Sequence, residues 1–301
     1  MRLKTLLLLC LLLAGAASAA AAPLRSVPDD LGRAVLVPGA PLRIVSLAPG
    51  ATEMLFAAGG GAQLIATVEY SSEPPAARRV PRIGDVGAID MERLVVLRPD
   101  VVVAWPAGGN PAQRQKIGAL GIPIYQQQVV RLADLPLSLR RLGALTATEA
   151  VAERGALALE QRLAALRRAY AAGAWGAGRR PSVLLQVWNR PVYTVGGRHL
   201  MSDALALCGA RNVFDDLPEA GPVVDTEAVI ARNPDVILAV APLGEGAAWV
   251  AEWQRFGSLA AVRHARVLAF EDQALSRLGP SVVDATEQLC RTIAAVSPGS
   301  Y

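Results

Sequence analysis

The chain has 301 residues, 52% of them apolar and only 19% charged, which excludes a disordered or acidic-tail protein and fits one large domain or two modest ones. The basic excess is small, 30 against 26, and all of those basic residues except Lys4 and Lys116 are arginine. No basic stripe interleaved with aromatics occurs, so the basic balance does not indicate nucleic-acid binding. The only histidines are His199 and His264, and there are three cysteines, which argues against a His/Cys metal cage.

Arg2 and Lys4 form a short positive segment, residues 6–13 an apolar one interrupted by Cys10, and Ala17-Ser18-Ala19 a small-x-small cleavage signal. The pattern predicts a secretory signal peptide over residues 1–19, too short to span a bilayer, and a mature protein that is soluble outside the cytoplasm. Cys10 leaves with it. Cys208 and Cys290 remain, and an even count in an exported chain predicts a disulfide, with two separate buried thiols as the alternative.

Further along, 43–47 reads as a strand followed by a helix after Thr52, and Gly59-Gly60-Gly61 as that helix's stop and turn. More strands are predicted at 64–68, 122–125, 182–188, 236–240 and 267–270. Residues 90–104, DMERLVVLRPDVVVA, and 225–239, DTEAVIARNPDVILA, share Asp, Glu, Pro, Asp, Val and Ala in one ungapped register. Each reads as a short helix capped by its Asp (Asp90, Asp225), a Pro-Asp turn and a buried strand. The repeat predicts two related α/β lobes with parallel sheets, at 20–146 and 174–301. Between them, 147–173 is rich in Ala, Leu, Glu and Arg, with Leu159, Leu163, Leu166 and Tyr170 on one stripe. It predicts a single long backbone helix, a rigid joint of about 39 Å at 1.5 Å per residue.

Ligands of open α/β sheets sit beyond the carboxyl ends of the strands. The residues there are Pro49, Tyr70, Trp105 with Gly108-Gly109-Asn110, Trp188 with Asn189 and Tyr193, and the stretch from Asp272 to Arg277. Two of the five tryptophans in an aromatic-poor chain fall at such ends, which suits a large, partly flat ligand held by stacking and a few hydrogen bonds. Packing at the lobe rim is the alternative. No dinucleotide fingerprint, P-loop or nucleophile elbow is present, and neither histidine has a nucleophile or acid nearby in sequence, so an enzyme is not expected. The pairs Arg78-Arg79, Arg140-Arg141, Arg167-Arg168 and Arg179-Arg180 read as solvated helix faces or ends. Glu92 and Glu227 lie in the first turn of the two repeated helices. They complement the helix dipoles or form a two-point negative signature for a symmetric, arginine-bearing partner.

At this point the chain resembles the periplasmic substrate-binding proteins of ABC transporters that have one helical backbone between two lobes, a group that takes up cobalamin, haem and iron siderophores. RIVSLAPGATE (43–53) is similar to the family's opening strand and loop. PDVVVAWPAGGN (99–110) and ALCGARNVF (206–214) with EQLC (287–290) are similar to its cobalamin binders, which pair the cysteines equivalent to Cys208 and Cys290. The resemblance implies two Rossmann-like lobes with the ligand cleft between them, and a permease dimer docked through Glu92 and Glu227. It places Pro49, Tyr70, Trp105, Gly109, Asn110, Trp188, Asp272 and Arg277 at the cleft, with cobalamin or a related corrinoid as ligand. It implies a monomer that needs no cofactor, and no protein ligand to the metal is expected. Val86 stands where the best-known cobalamin binder has a tryptophan, and Gly221 stands at the place of another. Haem or a ferric siderophore is the alternative ligand, with Tyr70, Tyr125 and Tyr193 as candidate axial ligands.

Overall fold

The computed structural model describes residues 23–170, 173, 175 and 178–298. The expected signal peptide lies outside them. The first element is a hairpin of β1 (Arg25–Pro28) and β2 (Ala34–Val37), which the sequence expectations do not include. Its turn is closed by the buried Asp29, which accepts from the Leu31 and Arg33 amides at 2.9 and 2.8 Å.

The first lobe then runs β3 (Ile44–Ser46), α1 (Pro49–Ala57), β4 (Leu64–Ala66), α2 (Met91–Leu97), β5 (Val101–Ala104), α3 (Pro111–Ala119) and β6 (Ile124–Gln126). Two adjoining helices follow, α4 (Leu135–Thr146) and α5 (Glu149–Ala169). The second lobe runs β7 (Ser182–Gln186), β8 (Val192–Tyr193), α6 (Leu200–Leu207), β9 (Arg211–Asn212), β10 (Val223–Val224) and α7 (Thr226–Arg232). It finishes with β11 (Val236–Val240), α8 (Gly246–Trp253), α9 (Ala260–Arg263), β12 (Val267–Phe270), α10 (Ala274–Arg277) and α11 (Val282–Ala295).

Both main sheets are parallel, and they share one topology. In the first the order is β4-β3-β5-β6, in the second β9-β7-β11-β12, so in each the second strand added lies outside the first and the third inside it. The repeat seen in the sequence is carried through in space. α2 and α7 start at Met91 and Thr226, β5 and β11 at Val101 and Val236, α3 and α8 at Pro111 and Gly246, a constant offset of 135.

The chemistry of the repeat is also visible. Asp90 accepts from the Arg93 amide at 2.9 Å and Asp225 from the Ala228 amide at 2.7 Å, so both cap their helices as the motif predicts. Both helices stop on a left-handed residue just before the proline, Arg98 (φ 44) and Asn233 (φ 43). The Asp after each proline pins the lobe's first strand: Asp100 accepts from the Arg43 amide at 2.7 Å and Asp235 from the Ser182 amide at 2.9 Å.

The connecting helix α5 has 21 residues, shorter than predicted, about 32 Å at 1.5 Å per residue. It bridges the lobes through ion pairs. Arg140 of α4 reaches Glu153 and Glu160, both at 2.6 Å, and Arg162 reaches Asp284 and Glu287 of α11, the former at 3.2 Å. Arg140 is therefore not simply a solvated face, and neither is Arg141, which donates to the Asp30 carbonyl at 3.2 Å. Leu163 and Leu166 are buried, in one continuous apolar cluster that runs from Val27 in the first lobe through α5 to Ile293 in the second. A shared core of that kind makes the joint stiff, because separating the lobes would expose apolar surface to water.

Cys208, just past α6, is bonded to Cys290 of α11 with the Cα atoms 4.8 Å apart. The disulfide expectation holds, and the bridge ties two helices of the second lobe together.

Candidate functional site

A cavity of about 400 Å³ opens between the lobes. The first lobe provides most of its wall. Ala48, Pro49, Gly50 and Ala51 come from the start of α1, directly after β3, and Trp105 follows β5. β3 and β5 are the two neighbours at which the order of the sheet reverses, so this wall stands at the topological switch point, where open α/β sheets bind ligands. Tyr70, Ser72, Val86, Gln127 and Val129 complete it. The second lobe provides Gln273, Ser276, Arg277 and Leu278, from α10 and the residues beside it.

Local sequence explains how the wall is held. Pro49 starts α1, where its missing N–H is not needed, and no side chain caps that helix end. A β-carbon on Gly50 would lie 2.0 Å from the Arg277 carbonyl oxygen, so only glycine allows α1 to pack this closely on the opposite lobe. Below the wall is a row of buried hydroxyls. Thr52 donates to Ser46 at 2.9 Å, lies 2.6 Å from Thr67, and Thr67 donates to Ser71 at 2.9 Å. This row holds the turn that presents Tyr70, which is 78% exposed with a left-handed backbone (φ 63). Leu278 on the facing lobe is left-handed as well (φ 60). Such conformations in non-glycine residues are held only where the surroundings fix them.

Trp105 is half-buried, and its ring lies against Gly108, where a β-carbon would come within 2.1 Å of it. Gly109 and Asn110 border a small void behind Trp105 together with Val86, and Asn110 caps α3 by accepting from the Ala112 amide at 3.0 Å. Val86, where the resemblance expects a tryptophan, stands on the cavity wall itself.

The lobes are clasped next to the cavity. Glu53 of α1 is buried, and it accepts from the Ser281 amide at 2.6 Å and from the Ser281 hydroxyl at 2.9 Å. The Arg277 guanidinium lies 3.7 Å from it. Burial raises the Glu53 carboxyl above its ordinary range, although the Ser281 bonds and Arg277 act in the other direction.

Four of the residues named from the sequence therefore line one cavity: Pro49, Tyr70, Trp105 and Arg277. The others named in the second lobe lie outside this lining. Trp188 is 53% exposed and packs edge-on against Trp249, with ring centroids 6.4 Å apart. Asn189 accepts from Gln186 at 2.9 Å and donates to Glu252 at 2.8 Å, so its amide is engaged within the lobe. Tyr193 is on β8, paired with Val223. Asp272 accepts from the Ala274 amide at 2.9 Å and so opens α10.

Tyr125 is removed from the set of candidate ligands. It is fully buried and donates to Asp30 at 3.0 Å, and burial together with that carboxylate raises its pKa, so it cannot serve as a phenolate ligand. Gln127, Val129 and Ser72 line the cavity without having been named from the sequence. For Gln127 a signal existed, since it directly follows β6; no motif distinguished it or Val129 from the rest of that loop.

Neither histidine joins the site. His199 caps α6, its Nδ1 accepting from the Met201 amide at 3.2 Å, and His264 is on the surface. Among the described residues no group of His, Cys, Asp and Glu could hold a metal ion. Glu92 and Glu227 are both exposed, each in the first turn of its capped helix.

With this geometry in view, residues 44–274 match the family described as periplasmic binding protein, and the chain belongs to that family of binding proteins. It is 35% identical over 263 residues to the vitamin B12-binding protein of Pectobacterium carotovorum subsp. carotovorum (strain PC1), covering 86% of this chain and 91% of that one. The crystal structure of the periplasmic vitamin B12-binding protein BtuF of Vibrio cholerae superposes with a TM-score of 0.75 at 32% identity, over 85% of this chain and 98% of that one. The periplasmic haem-binding protein RhuT from Roseiflexus sp. RS-1 shares the fold, with a TM-score of 0.72 at 24% identity over 85% of this chain and 99% of its own.

Proposed function

We propose that this protein captures a corrinoid, cobalamin or a close relative, in the cavity between its lobes and delivers it to an ABC importer in the inner membrane. The observation that carries this reading is the wall at the first lobe's switch point, where Pro49, Tyr70 and Trp105 face Arg277. Its relatives named for vitamin B12 binding support it over most of the chain. Trp105, Pro49 and Tyr70 pack on the faces of the flat ring, and removal of their apolar surface from water supplies most of the affinity. Arg277 takes an acceptor at the ring's edge, an amide carbonyl or a phosphate oxygen. Trp188, Asn189, Tyr193 and Asp272 act further out, at the rim, and the Gly109-Asn110 loop supports Trp105 from behind. The metal of the corrinoid is cargo and takes no ligand from this chain.

The protein works in the periplasm after export. Among the described residues no helix is long and apolar enough to cross a membrane. Delivery runs through Glu92 and Glu227, which meet basic residues of a permease dimer at two equivalent points. Replacing both by alanine abolishes uptake and leaves corrinoid binding unchanged.

Calorimetric titration with cyanocobalamin, with hemin in parallel, tests the reading. Tight one-to-one corrinoid binding that is lost in Trp105→Ala supports it. Binding of hemin alone replaces it with the second reading, in which exposed Tyr70 is the axial ligand of a haem; that reading in turn requires Tyr70→Phe to remove the shift of the Soret band.

A further inference from the structure

The row of side chains that leaves β6 breaks the pattern of its own face. Alternate residues of an extended chain share a face, so Tyr125, Gln127 and Val129 belong together. Tyr125 and Val129 are buried in the apolar cluster shared by the lobes. Gln127 is just as buried, at 4% exposure, and its backbone N–H donates to the Ala104 carbonyl at 2.9 Å, so the ladder with β5 continues to it and fixes its direction. Its side chain borders the cavity, and its buried Nε2 has no hydrogen-bond partner. An apolar residue would fill this position without leaving a donor unpaired, so the glutamine weakens the apoprotein and needs a reason.

The opposite wall has a counterpart. Arg277 also borders the cavity, and its buried Nε has no hydrogen-bond partner; the nearest carboxylate oxygen, on Glu53, is 3.7 Å away. Two desolvated donors thus flank one cavity, one from each lobe, each without an acceptor from the protein. Four buried side-chain polar atoms lack partners among the described residues, and these are the two on residues that border this cavity.

We infer that Gln127 reads the ligand: its primary amide pairs with a carboxamide on the ring's edge, while Arg277 takes a second acceptor from the facing lobe. The inference rests on the corrinoid reading and deepens it. A primary amide has both a donor and an acceptor, so two of them can bond in both directions. The unpaired Nε2 is a donor, and the carboxylates at the edge of a haem-type ring accept from it as well, so an amidated ring differs by the bond that its own N–H returns to Gln127 Oε1. Gln127 therefore favours an amidated ring over a carboxylated one.

The test is Gln127→Met in the purified chain, which keeps the side chain's length and removes its polar atoms. Cyanocobalamin and hemin are the two probes, and urea unfolding without ligand is the second readout. The expected result is cyanocobalamin affinity weakened about tenfold, hemin affinity weakened by a smaller factor, and apoprotein stability equal to or above wild type. Cyanocobalamin affinity within about twofold of wild type overturns the inference, as does a loss of apoprotein stability with affinity unchanged, which would make Gln127 structural. Wild-type protein that fails to bind cyanocobalamin at all overturns the corrinoid reading itself, and the role of Gln127 with it. Wild-type and variant proteins that bind it equally overturn the role of Gln127 alone.

Discussion

The two lobes have the same strand order and the same helix-turn-strand repeat, yet they treat the corresponding place differently. In the first lobe the switch point is open: Pro49 and Trp105 face the cavity, and the N-terminus of α1 has no side-chain cap. In the second lobe the corresponding region is filled. Gln186 at the end of β7 accepts from the Trp253 indole at 2.8 Å, Asn189 is held by Gln186 and Glu252, and Trp188 leans on Trp249. The helix that corresponds to α1, α6, is capped by half-buried His199 and stapled to α11 by a disulfide. Duplication of a fold thus does not duplicate its site. One lobe leaves its switch point open as a cavity wall, and the other is a reinforced scaffold that presents Gln273, Ser276, Arg277 and Leu278 to the cavity.

This contrast can be tested by removing what differs. The largest effect is expected from the staple. Replacing Cys208 and Cys290 by alanine frees a loop with a sequence separation of 82, and the chain-entropy account gives a loss of about 4–5 kcal/mol of stability, read by urea unfolding. If the contrast holds, corrinoid affinity measured well below the unfolding midpoint stays near wild type, because the ligand wall belongs to the other lobe.

Next comes the pair of tryptophans. Trp105→Ala is expected to cost about 3 kcal/mol of binding, on the order of a hundredfold in Kd, and Trp188→Ala less than about threefold. Equal effects in titration would erase the distinction between an open and a filled switch point.

His199 gives a pH-dependent test of the cap. Its ordinary pKa is 6.5, and burial lowers it to about 4 in the folded protein. The unfolded chain therefore takes up this proton first. The stability contribution is complete above about 6.5 and is lost as the pH falls toward 4, by about 3 kcal/mol over that interval. His199→Asn retains a capping side chain and removes the proton, so its unfolding free energy falls less steeply across the interval than that of wild type.

The smallest effect is at the clasp. Burial raises the pKa of Glu53, so the folded protein holds this proton more tightly than the unfolded chain does. Its charge therefore lowers stability as the pH rises from the unfolded pKa through the folded one. Glu53→Gln keeps an acceptor for the Ser281 amide and carries no charge, so its stability at neutral pH is within about 1 kcal/mol of wild type. Glu53→Ala leaves that buried amide unpaired and costs about 1–3 kcal/mol.

The parts of the fold that follow local rules were legible in the sequence. The repeated Asp caps, the Pro-Asp stops and the buried valine-rich strands each have a short-range cause, and their common register announced two lobes. Strand ends likewise pointed to Pro49, Tyr70, Trp105 and Arg277, since the carboxyl ends of parallel strands converge whatever loops follow them. What pattern could not supply was the choice between the two lobes. Trp188 and Trp105 look alike in sequence, both placed after a strand, and only the position of Trp249 separates them. The β1–β2 hairpin and the two-residue strands β8, β9 and β10 are too short for periodicity to register. Gln127 lay at a strand end as well, but its significance depends on burial without a partner, which is a three-dimensional property.

The most direct test of the central claim is a crystal structure of the protein grown with cyanocobalamin. The account predicts the ring between the lobes, in contact with Pro49, Tyr70 and Trp105 on one side and Arg277 on the other. A ring seated instead on Trp188 and Tyr193, away from the first lobe's switch point, would contradict it.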